Sequence, residues 1–121
     1  MHDINAKPVV VSGWKARPLV QSKTNFKNNN GQLYGKWETP TLYVVYSYGP
    51  HWPLFIYDAA LDAWYENMDR ASVTTSKHRS QTCPYVNTWS SSCGWLRGLI
   101  AARVGEHLQM QRLERSLGLA A

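Results

Sequence analysis

Apolar and polar positions change their pattern twice along this chain. Between residues 8 and 67 the apolar residues come in short runs rich in β-branched and aromatic side chains. Between 68 and 92 they thin out, and from Leu96 onward they recur at helical spacing. Pro8-Val9-Val10-Val11-Ser12 predicts a strand or extended arm, whereas residues 13–20 show no clear period. Asn25-Phe26-Lys27-Asn28-Asn29-Asn30-Gly31 is a turn signal, because Asn and Gly tolerate positive φ and Asn side chains satisfy nearby backbone. Residues 32–38 predict a strand interrupted by Gly35, and after Thr39-Pro40 residues 42–48 form the clearest strand, dense in Leu, Tyr and Val. Residues 54–58 and 63–67 predict a hairpin joined through 59–62.

The last regime is helical. Leu96, Ile100, Val104 and Leu108 fall at four-residue steps and are joined by Leu99, Leu113 and Leu117. Ser90, Ser91 and Ser92 offer N-caps, Gly118 a C-cap, and Arg112 with Arg115 suit the negative end of the dipole. The expected architecture is a single α+β domain over 1–121: a curved antiparallel sheet with one long C-terminal helix packed on it. It divides into a β-rich part (8–67), a polar functional loop (68–92) and a helix (95–117).

Composition narrows the function classes. The chain has 121 residues, 13 Lys plus Arg against 8 Asp plus Glu, a net charge of +5 and two Cys. Two cysteines exclude a disulfide-dense scaffold, and the positive balance disfavours an acidic DNA mimic. No apolar run approaches the roughly 18 residues needed to span a membrane, and Met1-His2-Asp3 does not read as a signal peptide. Acidic residues concentrate between 41 and 70, so two basic segments flank an acidic middle, and folding that joins the basic segments creates a basic face. Six Trp and seven Tyr against two Phe favour half-wet surfaces, since Trp and Tyr carry polar atoms that need partners when buried.

Three constellations carry chemistry. In the first, Tyr46-Ser47-Tyr48-Gly49-Pro50-His51-Trp52-Pro53, the prolines fix φ around an imidazole and an indole between two strands. The second, Thr74-Thr75-Ser76-Lys77-His78-Arg79-Ser80-Gln81, sets hydroxyls and cations on one short segment, as a phosphate or another anion requires. It is not a P-loop, because the glycine spacing and the strand-to-helix context are missing. The candidate ligand-binding residues are therefore Tyr48, His51, Trp52, Thr75, Ser76, Lys77, His78, Arg79 and Gln81. His51 and His78 also form a candidate acid–base pair if their loops share one end of the sheet, with Asp58 or Asp69 as orienting groups. The third constellation interleaves Trp14, Lys15, Arg17, Lys23, Phe26, Lys27, Tyr34, Lys36 and Trp37, a mixture suited to single-stranded nucleic acid. No metal site is expected: the nine-residue gap between Cys83 and Cys93 is not a zinc-ribbon spacing. No cofactor is expected either.

Three stretches share a family likeness: residues 26–37 (FKNNNGQLYGKW), residues 43–58 (YVVYSYGPHWPLFIYD), and Trp64-Tyr65-Glu66-Asn67 followed by residues 74–81. Over residues 26–84 the chain resembles a family of small, uncharacterised proteins encoded by bacterial viruses; Cys83 to Ala121 adds no further likeness. The resemblance implies a viral accessory protein acting in the cytoplasm of a bacterial host, against host defences or on host machinery. The leading expectation is a binder of a nucleotide or nucleic acid that does not turn its ligand over. One alternative is a protein–protein inhibitor of a host defence complex, such as a CRISPR effector or nuclease, using exposed aromatics as hot spots. A second is a small His-dependent phosphodiesterase or nuclease. The amphipathic C-terminal helix is compatible with packing inside the domain or with a homo-oligomer contact.

Overall fold

The computed structural model describes residues 4–118. Seven strands form one sheet in sequence order: β1 (Val9–Val11), β2 (Phe26–Asn28), β3 (Leu33–Thr39), β4 (Leu42–Ser47), β5 (Pro53–Asp58), β6 (Ala63–Asn67) and β7 (Thr88–Ser91). Three helices accompany them: α1 (Arg17–Gln21), preceded by a 3-10 turn over Gly13–Lys15, α2 (Val73–Thr82) and α3 (Cys93–Ser116). The fold is α+β. Its sheet is antiparallel from β2 to β6 and parallel at the two outermost pairings, β1 with β2 and β6 with β7. Each parallel pairing needs a crossover, and α1 and α2 supply them.

Alternation along the strands gives the sheet two apolar faces. Tyr43 and Val45 of β4 join Phe26, Leu33, Trp37, Phe55 and Trp64 on the face that also holds Ala16 and Val20 from the α1 region. Leu42, Val44 and Tyr46 point the other way and pack with Ile56 against Leu96 of α3, flanked by Leu99 and Ile100. Burial on both sides explains why all six residues of β4 are buried and why that segment reads as a continuous apolar run. An Arg103–Asp58 ion pair (2.8 Å) ties the next turn of α3 to β5, whose carboxylate is buried.

The segment 68–92 is not a loop. Ser72 caps α2 by accepting from the Thr75 amide (3.2 Å), and Arg17 holds the other end by donating from Nε to the Cys83 carbonyl (2.7 Å). The buried face of α2 is Thr75, His78, Gln81 and Thr82, a helical spacing written in polar residues. Polar groups satisfied by hydrogen bonds fill the place that an apolar stripe normally takes, which hides the helix from hydrophobic periodicity. Residues 88–91 leave the polar stretch as β7. The turn signal at 25–31 covers two things, a short strand and then a turn: Asn28 Oδ1 accepts from the Leu33 amide (3.1 Å), Asn30 Oδ1 from the Gln32 amide (3.0 Å), and Gly31 sits at φ +75°. The C-terminal helix is present, two residues longer at its start, with Ser92 as N-cap.

Candidate functional site

One end of the sheet gathers most of the candidate chemistry. Ser47 at the end of β4 faces Leu33 at the start of β3, and Asn67 at the end of β6 faces Ser91 at the end of β7. The turn before β3, the corner between β4 and β5, and the entry to α2 therefore meet there. The corner is tightly specified: Tyr48 donates its amide to the Gln32 carbonyl (2.7 Å), and Ser47 donates to the Trp52 carbonyl (3.1 Å). Tyr48 lies at φ +59° and Gly49 at φ +108°. A bulky residue in the left-handed region costs of order 1 kcal/mol, so this ring is held in place by its surroundings.

The ring of Tyr48 stacks at 5.6 Å on the imidazole of His78. His78 is 5% exposed, and its Nδ1 lies 2.9 Å from Ser47 Oγ. Ser47 Oγ in turn donates to Thr75 Oγ1 (3.1 Å), which also accepts from Ser72 Oγ (3.2 Å). Burial, and then the positive charge of Lys77, hold the imidazole below its ordinary pKa, so it is neutral near pH 7.

Two cavities adjoin across this stack. The first, about 460 Å³, is lined by Trp14, Asn28, Asn30, Gln32, Lys77 and His78 among others. Trp14 is 69% exposed, and the Lys77 ammonium lies 5.8 Å from its ring. The two basic segments of the sequence thus meet, Trp14 coming from the first and Lys77 from the second. The second cavity, about 410 Å³, is lined by Tyr48, His51, Trp52, Arg70 and Thr75.

Comparison with protein-family models, with curated proteins and with solved structures finds no match to this chain.

Helical geometry separates residues that a loop would bring together. Lys77, His78 and Gln81 line the first cavity, whereas Ser76 and Arg79 turn towards a third space of about 290 Å³ beside Trp52 and Arg70. Thr75 lies between, bordering the second and third. Arg79 is engaged in an ion pair with Glu66 of β6. His51 is exposed at the corner, and its carbonyl accepts from the thiol of Cys93 (3.3 Å). Asp58 and Asp69 orient neither histidine: Asp58 holds Arg103, and Asp69 accepts from the Cys93 amide (2.9 Å). Among the described residues no three His, Cys, Asp or Glu side chains converge as a metal site.

The aromatic and basic residues of the third constellation divide as alternation requires. Trp37 and Phe26 are core, and Tyr34 lies on the α3 face; Trp14 alone of them reaches the groove. Asn28, Asn29, Asn30, Gln32, Ser47 and Arg70 complete the site and were not legible as functional residues. The asparagines carry a turn signal that accounts for them without a ligand, and Ser47 meets His78 only through the tertiary fold, 31 positions away in sequence.

Proposed function

We propose that this chain is a non-enzymatic binder of a phosphate-bearing ligand, a nucleotide or a short single-stranded nucleic acid. The observation that carries the reading is the first cavity. An exposed indole, a cation unpaired among the described residues, and the amide side chains of Asn28, Asn29, Asn30 and Gln32 border one space. Aromatic faces stack on bases, cations follow the phosphate backbone, and amides match base edges. Tyr48 and Trp52 extend the aromatic surface, and Arg70 the positive charge, into the second cavity. An accessory or anti-defence role in the cytoplasm of a bacterial host belongs to the same proposal, on the resemblance read from residues 26–84 alone. No described helix is long and apolar enough to cross a membrane.

The test is a fluorescence-polarisation titration of the chain with a labelled single-stranded octanucleotide over a range of salt. Affinity is expected to fall as salt rises. Trp14→Ala is expected to weaken binding by about five- to a hundredfold, the worth of one stacked base. Lys77→Ala is expected to flatten the log–log salt slope by about 0.7, the contribution of one phosphate contact on a single strand. Arg79→Ala, which breaks an ion pair outside the groove, leaves that slope in place. A slope and affinity unmoved by Lys77→Ala and Trp14→Ala refute the assignment.

A second reading rests on a different surface. Trp89 and Trp95 are 70% and 50% exposed on the α3 side, with Tyr65 5.3 Å from the Trp95 ring. Exposed aromatics of this kind serve as anchors in protein contacts, which favours an inhibitor of a host protein.

A further inference from the structure

The hydrogen-bond chain behind His78 has a direction, and the direction fixes what the cavity offers a ligand. Ser47 has one hydroxyl proton and gives it to Thr75 Oγ1. Its Oγ therefore accepts from His78, so Nδ1 carries the imidazole proton. In a neutral ring that leaves Nε2 as a bare acceptor. Every buried side-chain nitrogen and oxygen among the described residues has a partner, and Nε2 makes no hydrogen bond there. Nε2 is thus reached from the cavity that His78 lines. An acceptor cannot bind a phosphate oxygen; it needs an N–H or O–H.

Its neighbours indicate which donor. The indole of Trp14 and the amide turn offer a base its stacking face and edge partners, and Lys77, adjacent to His78 in the chain, offers the phosphate its cation. The sugar lies between base and phosphate, and His78 lines the same cavity as the groups that suit each. We propose that His78 is a ribose reader: its Nε2 accepts a hydrogen bond from a sugar 2′-hydroxyl, so the groove selects ribo- over deoxyribo-oligonucleotides. The inference rests on the groove reading above and adds the class of nucleic acid.

The experiment compares octauridylate with octadeoxyuridylate, two probes that differ only in the 2′-hydroxyl, by competition at pH 7.5 and low salt. The ribo-oligomer is expected to bind about three- to tenfold tighter, the worth of one hydrogen bond. In His78→Asn the amide nitrogen overlays Nδ1 and keeps the bond to Ser47, but nothing occupies the Nε2 position; the two probes are then expected to bind alike. Equal affinities in the unaltered protein overturn the ribose assignment and leave the groove standing. A preference that persists in His78→Asn overturns His78 as its source. Failure of both probes to bind removes the groove reading itself, and this inference with it.

Discussion

Gly35 shows how much of this fold hangs on a single hydrogen atom. A Cβ built there would stand 2.5 Å from both the Phe26 ring and the Tyr43 hydroxyl, inside the core shared by β2, β3 and β4. Tyr43 is held in its place, since its hydroxyl donates to the Thr24 carbonyl (2.7 Å). Gly35→Ala is accordingly expected to destabilise the protein by about 2 kcal/mol or more through overpacking, read as a lower urea midpoint at unchanged slope. In the sequence this glycine reads only as an interruption in a strand. The reason for it lies in two aromatic rings from other strands, which no local pattern reveals. Trp14 and Lys77 present the same difficulty: each is ordinary where it stands in the chain, and the pairing that gives them a role spans 63 positions of sequence.

At the scale of elements, legibility follows the source of stability. The strands β3 to β6 and the helix α3 are driven by apolar burial, and their patterns show it. Residues 73–82 form a helix because Ser72 and Arg17 cap it and because Ser47 satisfies its buried face, interactions written in residue types that also make good loops. A site placed on a supposed loop therefore loses Arg79 and Ser76 to the far side of a helix. The C-terminal helix teaches the opposite lesson. Its leucines predict a helix packed on the sheet, yet within it only Cys93 and Leu96 are buried; Leu108, Leu113 and Leu117 stand about half exposed or more. A chain ending after Glu106 keeps Leu96, Leu99, Ile100 and the Arg103–Asp58 pair. Its unfolding free energy is expected to stay within about 1 kcal/mol of the full chain's, measured by urea denaturation.

The whole molecule carries buried titratable groups on both faces of one sheet, and they set a stability window. His78 binds its proton less tightly folded than unfolded, so its contribution is complete above the unfolded value near 6.5 and is lost as pH falls through it. Lys77 faces the imidazole and opposes its charging, while Ser47, Thr75 and Tyr48 bring it no charge. Tyr43 and Tyr46 behave conversely. Burial pushes both phenols far above their usual value, Glu38 adding to the effect at Tyr46, so stability is lost once pH passes about 10, where the unfolded phenols ionise. Thermal melts across pH are expected to show a plateau between roughly 7 and 9 that declines on both sides, the acid decline shrinking in His78→Asn.

The two parallel pairings have a consequence for the order in which the molecule comes together and apart. Each antiparallel hairpin of the central meander begins from residues close in sequence, such as Thr39 with Leu42 or Asp58 with Ala63. The parallel pairs, Val9 with Phe26 and Trp64 with Thr88, have no such short start, because every rung spans the whole crossover. The groove is built largely from those crossovers: the turn bearing Trp14 belongs to one and α2 to the other. Its walls are the parts whose closure is entropically dearest, while its floor belongs to the quick-forming meander. A ligand lying from Trp14 to Lys77 would act as a clasp between the two crossovers, and its occupancy would be felt as resistance of both crossovers to opening.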